Sequence, residues 1–213
     1  MNHIKFKFYY ETVLTHVRPE GDSAYHAALT KDVVTRFLDP VGLAPDAVIL
    51  DLGCGPGYFL DEMKARGFTN VTGVTLSPDD AEQCKSKSHI VRQADMNFLP
   101  ELDESVDYIW CHQSLQHSPF PYITLLEWNR VLKPQGRLYI EVPQPDCERQ
   151  HESVMNHYSV LGLRMWLALL ARTGFDVRWN EVSVPISFDQ EKTWIEEKVY
   201  IFDCTRKRAV DVK

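Results

Sequence analysis

Asp51-Leu52-Gly53-Cys54-Gly55-Pro56-Gly57-Tyr58 is the stretch from which the rest of the chain can be read. It continues a compact apolar run, Ala47-Val48-Ile49-Leu50, that reads as a buried strand. It leads into residues 58–66, where Phe59, Leu60 and Met63 fall at helical spacing and Gly67 supplies a stop. Three glycines at alternate positions let the backbone reach positive φ and keep β-carbons out of the turn. The start of the helix aims free N–H groups and a partial positive charge at the same place. A ligand lying against bare main chain is the expected use. The dinucleotide fingerprint G-x-G-x-x-G would need glycine where Tyr58 stands and an acidic residue where Thr75 ends the second strand. A phosphate loop would need a G-K-[ST] that does not follow. What remains is Asp51, two residues ahead of the first glycine, whose carboxylate can accept hydrogen bonds from a ligand ammonium.

Working outward, residues 47–51, 71–75, 89–94, 106–111 and 137–142 read as strands separated by helical stretches. Ser77-Pro78 makes a helix start, serine as N-cap and proline at the first helical position. Residues 122–132 are helical with Ile123, Leu126 and Val131 on one side, and Lys133-Pro134-Gln135-Gly136 stops them. A strongly apolar helix over 159–173 is expected to start on Ser159 and end at Gly174. Two β-rich runs, 176–188 and 192–204, finish the chain through a tight polar connection. Strand–helix alternation implies right-handed crossovers and a parallel sheet covered on both faces, with the last pair as an antiparallel edge hairpin. In such sheets ligands sit beyond the carboxyl ends of the strands, where the strand order switches.

Five segments in order resemble the class I S-adenosylmethionine-dependent methyltransferases of small molecules. Asp51 to Tyr58 looks like their first motif, and Val71-Thr-Gly-Val-Thr-Leu-Ser-Pro78 like the second. Gln93-Ala-Asp95-Met96-Asn-Phe-Leu-Pro100 is similar to the family's G-D-x-x-x-L-P. Val106-Asp-Tyr-Ile-Trp-Cys-His-Gln-Ser-Leu-Gln-His117 resembles the fourth-strand motif, and Glu127-Trp-Asn-Arg-Val-Leu-Lys-Pro-Gln-Gly136 the family's E-x-x-R-V-L-K-P-G-G. The likeness spans residues 45–143. It implies a Rossmann-like α/β fold, doubly wound, with a mostly parallel seven-stranded sheet, an antiparallel edge hairpin and helices on both faces. It also implies S-adenosyl-L-methionine as cofactor. Residues 45–213 would form the cofactor-binding unit and residues 1–44 a helical lid.

Position by position, the resemblance places Asp51, Gly53, Cys54, Gly55, Gly57 and Tyr58 around the methionine half of the cofactor. Thr75 and Leu76 would lie beside ribose and adenine, Asp95 would accept the adenine amino group, and the Met96 backbone would cap the ring edge. Cys111 and His112 would border the methionine end. Thr75 stands where the family has a ribose-binding carboxylate. Residues 73–77 are similar to those of cyclopropane-fatty-acid synthase relatives, in which a glutamine further on assists at the ribose. The corresponding position here is Asp80, the second choice for that contact.

Methyl transfer from a sulfonium is an in-line displacement that mainly needs alignment, with a base for oxygen or nitrogen nucleophiles. His117, after the fourth strand, is the leading candidate for base or substrate contact, and His112 the second. His157 and Glu141 are weaker candidates, with helix-entry packing and a buried strand carboxylate as their ordinary roles. Asp146, Glu148, His151, Glu152 and His157 are the densest group of possible metal ligands, yet their spacing fits no ligand pattern, so no metal is expected. From the lid, Tyr10, Arg18 or His26 could touch the cofactor carboxylate or the acceptor. Trp166, Trp179 and Trp194 read as core.

Composition bounds the alternatives. A chain of 213 residues fits one domain with a proper core. The net charge of −7 argues against a broad basic face for nucleic acid or membrane, and Arg206-Lys207-Arg208 reads as a solvated end. Cys54, Cys84, Cys111, Cys147 and Cys204 are scattered and odd in number, so reduced thiols in the cytoplasm are expected. No long apolar run marks a leader or a membrane span. The expected activity is methyl transfer to an O, N or C nucleophile of a small molecule, by a monomer or homodimer. The alternatives are a non-catalytic cofactor-binding partner subunit and a protein methyltransferase. No N-P-P-[YF] follows the fourth strand, where Cys111-His112-Gln113-Ser114 stands.

Overall fold

The computed structural model describes residues 3–187 and 194–207. Two helices come first, α1 (His3–Leu14) and α2 (Ala24–Phe37), the latter capped by Ser23, which accepts the His26 backbone N–H. Strands and helices then alternate through β1 (Ile49–Leu52), α3 (Tyr58–Ala65), β2 (Val71–Thr75), α4 (Pro78–Ser86), β3 (Ile90–Gln93) and β4 (Val106–His112). They continue with α5 (Pro121–Val131), β5 (Leu132–Pro143), α6 (Leu163–Arg172), β6 (Phe175–Ser187) and β7 (Trp194–Arg206). The sheet order is β3-β2-β1-β4-β5-β7-β6. The first five strands run parallel, and β7 lies antiparallel between β5 and β6. The expected seven-stranded, doubly wound sheet with an edge hairpin is what forms. Its switch point falls between β1 and β4, so the Asp51–Tyr58 turn and the loop after β4 face each other there. The connection joining β6 to β7 lies outside the described residues.

The strands bury both faces because their side chains alternate. Leu50, Leu52, Ile109, Leu138, Ile140 and Phe202 point to a core closed by Leu125, Trp128 and Val131 of α5 and Trp166 and Leu170 of α6. Ile49, Tyr108, Trp110, Tyr139 and Ile201 point the other way, against Val33, Val34, Phe59, Leu60 and Met63 of α2 and α3. Trp110 is sandwiched there, its ring 4.6 Å from Phe59 and 4.2 Å from Tyr139, both nearly parallel to it.

Four boundaries or faces differ from the sequence reading. The buried side of α5 carries Thr124, Leu125, Trp128 and Val131, while Ile123 and Leu126 are exposed. The bulk of Trp128 sets the phase, and its indole N–H reaches the Met96 carbonyl at 3.0 Å. Helix α6 starts at Leu163 behind Gly162. Ser159 is not its cap, because its hydroxyl is taken by the Ser118 carbonyl at 2.6 Å. The Lys133–Gly136 stop is itself part of β5, since Leu132 is already extended and pairs with Val106 before a register shift. Trp166 is core, whereas Trp179 is substantially exposed. The Ser77 cap with Pro78 forms as read, the hydroxyl accepting the Asp80 N–H.

Candidate cofactor and acceptor site

Two adjoining cavities open at the switch point. The first, about 180 Å³, is lined by Val74, Thr75, Leu76, Ser77, Asp80, Ala94 and Met96 from the sheet side and by Val13, His16 and Val17 from the N-terminal segment. The second, about 380 Å³, is lined by Asp51, Cys54, Tyr58, Phe59, Trp110, His112 and Glu141, and on its far wall by Arg149, His151, His157 and Glu197. Arg18, Glu20, Gly53, Gln113 and His117 line both, and so stand at the junction.

The three glycines of the turn do different work. All have positive φ, which a side chain disfavours. A β-carbon on Gly53 would run into the Ser114 side chain, and one on Gly57 would sit 3.0 Å from the Cys84 thiol. Those two glycines are required by internal packing, and Gly53 also lines both cavities. Gly55 lines the first cavity, and a β-carbon there would meet the carboxylate of Glu20, which the N-terminal segment lays over the turn.

Asp51 is buried at the end of β1, and its Oδ2 has no hydrogen-bond partner among the described residues. Burial pushes its pKa well above the ordinary carboxylate range, with Cys84 and Glu20 adding to the rise and His112 opposing it. An unpartnered buried carboxylate beside a bare turn fits a ligand ammonium. Thr75 Oγ1 accepts the Ser77 N–H at 3.1 Å, and the Asp80 carboxylate accepts the Glu20 N–H at 3.1 Å. Both line the first cavity. Asp95 accepts Asn97 N–H and Nδ2 on Oδ1 and the Tyr9 hydroxyl on Oδ2, at 3.1 Å. The N-terminal segment therefore holds the group that the resemblance gives to the adenine amino. Leu76 and Met96 line the first cavity, and the Met96 carbonyl accepts the Trp128 indole N–H.

Cys54, Cys111 and Tyr58 are placed less directly. The Cys54 thiol lies against Gly73 and Leu60 in the core, and Cys111 is fully buried with its sulfur 3.1 Å from Ser114 Oγ. Tyr58 uses its hydroxyl on the N-terminal segment, accepting the Ser23 N–H and donating to the Gly21 carbonyl.

The histidines divide by their partners. His112 Nε2–H donates to Glu141 at 3.0 Å, and Gln113 Nε2 and the Tyr139 hydroxyl satisfy the same carboxylate. Burial lowers the His112 pKa, but Glu141 outweighs it and the net direction is up; Glu141 goes down for the same pairing, against its own burial. His112 is thus engaged as one half of a buried ion pair. His117 is different. Its Nδ1–H donates to the Asn156 carbonyl at 2.9 Å, and no hydrogen bond reaches Nε2 among the described residues. Burial holds its pKa below the ordinary histidine value. A neutral imidazole with a free lone pair at the junction can take a proton.

Several residues here carried no local sequence signal. Glu20 reaches both cavities from the N-terminal segment, and His151 Nε2 bonds Glu197 Oε1 at 2.6 Å across 46 positions. Asn97 ties Asp95 to the loop after β4 by accepting the Ser118 hydroxyl at 2.7 Å. Glu152 and Glu148 are held by the backbone N–H groups of Asp146 and Glu196. No group of three possible metal ligands comes together among the described residues.

The comparisons agree with this geometry. Residues 50–140 match the family described as Methyltransferase domain. Over 183 residues the chain is 28% identical to 27-O-demethylrifamycin SV methyltransferase of Amycolatopsis mediterranei, covering 73% of this chain and 67% of that protein. It is 31% identical over 112 residues to the malonyl-[acyl-carrier protein] O-methyltransferase of Hamiltonella defensa, covering 52% of this chain and only 43% of that one. A SAM-dependent methyltransferase from Archaeoglobus fulgidus superposes with a TM-score of 0.69 at 18% identity, over 84% of this chain and 94% of its own. The fold, the Asp51–Gly55 turn at the switch point and the matched core point one way: residues 50–140 match the methyltransferase domain, within the fold of S-adenosylmethionine-dependent methyltransferases, and this likeness supports S-adenosylmethionine as cofactor.

Proposed function

We propose that the chain transfers a methyl group to a hydroxyl of a small-molecule acceptor, with His117 as the proton acceptor. The observation that carries this is the position of His117 at the junction of the two cavities, with Nδ1 fixed and Nε2 free. The names of two relatives, an O-methyltransferase and a methyltransferase of a 27-O-demethyl compound, support oxygen as the nucleophile.

When bound, the cofactor supplies a methyl on a cationic sulfur whose departure leaves a neutral thioether. The first cavity takes the adenosine half, Thr75 and Asp80 facing the ribose and Asp95 and Met96 the adenine. Asp51 binds the ammonium and Gly55 offers bare backbone, with Gly53 and Gly57 shaping the turn. The second cavity takes the acceptor, and His117 Nε2 draws off its proton as the oxygen attacks. His112 stays paired with Glu141, whose carboxylate also holds Gln113 at the junction. Residues 1–44 act as a lid that excludes water, and residues 45–213 as the catalytic unit. No described helix is long and apolar enough to cross a membrane, and we assign the activity to the cytoplasm, as monomer or homodimer.

A second reading has one specific observation behind it. Tyr9 occupies Asp95, the Glu20 backbone occupies Asp80, and the Glu20 side chain covers Gly55, so the lid already fills three cofactor positions. That pattern favours a non-catalytic partner subunit. Replacing His117 with Ala separates the two. The enzyme reading expects kcat to fall by about 10²–10⁴ with S-adenosylhomocysteine affinity unchanged. Release of S-adenosylhomocysteine that is absent in wild type, or equal in wild type and variant, rejects the proposed role.

A further inference from the structure

His117 ends a short 3₁₀ turn, Leu115–His117, and the chain returns to it 39 positions later, after β5. Three hydrogen bonds join the two segments, all of them around that one side chain. The His117 Nδ1–H donates to the Asn156 carbonyl at 2.9 Å. The Ser159 N–H donates to the Gln116 carbonyl at 3.0 Å, and the Ser159 hydroxyl to the Ser118 carbonyl at 2.6 Å. One serine thus grips the peptides on both sides of the histidine. Gln116, Ser118 and Ser159 are all buried, where such bonds are stronger than in water. On its other side the Ser118 hydroxyl donates to Asn97 Oδ1 at 2.7 Å and accepts the Phe120 N–H at 3.2 Å. The turn that carries His117 is therefore anchored both to the segment after β5 and to the loop after β3.

These bonds decide which nitrogen of His117 carries the hydrogen. A carbonyl only accepts, so Nδ1 must hold the hydrogen and Nε2 the lone pair. An imidazole without that partner exchanges the two forms, and one of them presents a donor where an acceptor is needed. His157 packs edge-on against the ring, 4.8 Å between centroids, which restricts the ring without choosing its tautomer. The choice falls to the Asn156 carbonyl, and Ser159 keeps that carbonyl in register with the turn. Other ties of the same loop act elsewhere. Glu197 holds it nearer its start, through Arg149 and His151, and the Tyr158 hydroxyl reaches His16 of the N-terminal segment at 3.0 Å. Asn156, His157 and Tyr158 line the cavities, whereas Ser159 lines neither. Nor does its hydroxyl cap a helix, since α6 starts only at Leu163, behind Gly162.

We propose that Ser159 is a positioning residue for proton acceptance at His117. Its N–H and hydroxyl clamp the Gln116 and Ser118 carbonyls, which sets the Asn156 carbonyl against Nδ1 and keeps Nε2 as the acceptor. Ser159 lines neither cavity, so it acts through this histidine alone. Without the hydroxyl the 156–159 segment shifts against the turn, and a misplacement of about 1 Å in a catalytic group costs about 10²-fold in rate. The inference rests on the reading of His117 as the base, and the experiment keeps the two apart.

The full chain, labelled with nitrogen-15 at histidine, is read by long-range proton–nitrogen correlation at about pH 7.5, where His117 is neutral because burial lowers its pKa. Its signals are assigned by their loss in His117→Ala. In wild type the Nδ1–H form should exceed the Nε2–H form by about tenfold or more. Ser159→Ala should cut that ratio by about fivefold or more. Ser159→Thr keeps the hydroxyl and should retain the wild-type ratio. Ser159→Cys, close in volume but a weaker donor, replaces Ser159→Ala should that variant fail to fold, with the same loss expected. No Nδ1–H preference in wild type, a wild-type ratio in the alanine or cysteine variant, or an equal loss in Ser159→Thr overturns the proposal and leaves the base reading standing. Equal release of S-adenosylhomocysteine by wild type and His117→Ala overturns the base reading, and the proposal with it.

Discussion

Asp51→Asn should move stability and cofactor binding in opposite directions. The substitution keeps shape and volume but removes a buried carboxylate charge whose Oδ2 has no partner. Burial raises its folded pKa, so the native state keeps a proton that the unfolded chain releases at about pH 3.9. Stability is therefore lost as pH rises from there through the folded pKa. Asparagine never ionises, although its amide remains buried and short of a partner. We expect a gain of roughly 1 kcal/mol for the ligand-free protein, which is about 2–4 °C in Tm for a chain of this size. The gain should shrink toward pH 4. The lost charge-assisted contact to the ligand ammonium is worth about 1.5–3 kcal/mol, which weakens S-adenosylhomocysteine about 10- to 150-fold. Differential scanning fluorimetry from pH 4 to 8 and calorimetric titration read the two arms. A variant that melts lower than wild type at pH 7 and binds the ligand equally well would refute the assignment of Asp51.

The remaining predictions concern the lid, the base and the core. Tyr9→Phe removes the donor on Asp95 Oδ2 and should tighten S-adenosylhomocysteine binding by up to about tenfold, as measured by calorimetry; weaker binding would make Tyr9 a ligand contact instead of a competitor. The kcat/KM of the wild type should rise with pH to a plateau, with its midpoint below the ordinary histidine value of about 6.5, because burial lowers His117 and only the neutral ring accepts a proton. A stopped assay of S-adenosylhomocysteine release at pH 4.5–8.5 checks it, and a midpoint above 7 would point to another group. Trp110→Ala empties the sandwich between Phe59 and Tyr139 and should destabilise the fold by about 3–5 kcal/mol in urea unfolding.

How much of this the sequence carried depends on how local each signal is. The turn from Asp51 to Tyr58, the Ser77-Pro78 helix start and the alternation of strands and helices are written in neighbouring residues, and the sheet follows from them. Ser159 looked like an N-cap because it precedes an apolar helix, but the Ser118 carbonyl, 41 positions away, claims its hydroxyl first. Ile123 and Leu126 looked like the buried side of α5 until the larger Trp128 set the phase. At the site, Asp51, Thr75, Asp80 and His117, all singled out from the motifs, line the two cavities. Nothing near Glu20 announces that its carboxylate will lie on Gly55, or that the last strand of the edge hairpin will bring Glu197 to His151. Gly53 and Gly57 were legible as turn glycines, but the bulk of Ser114 and Cys84 packed against them was not.

The central claim is that the Gly55 turn and Asp51 receive S-adenosylmethionine once Glu20 moves aside. Calorimetric titration of the wild-type protein with S-adenosylhomocysteine, compared with Gly55→Val, tests it most directly. The account predicts one molecule bound per chain to wild type and none to the variant. A folded wild-type protein that gives no binding heat, or a variant that binds as tightly as wild type, would contradict it.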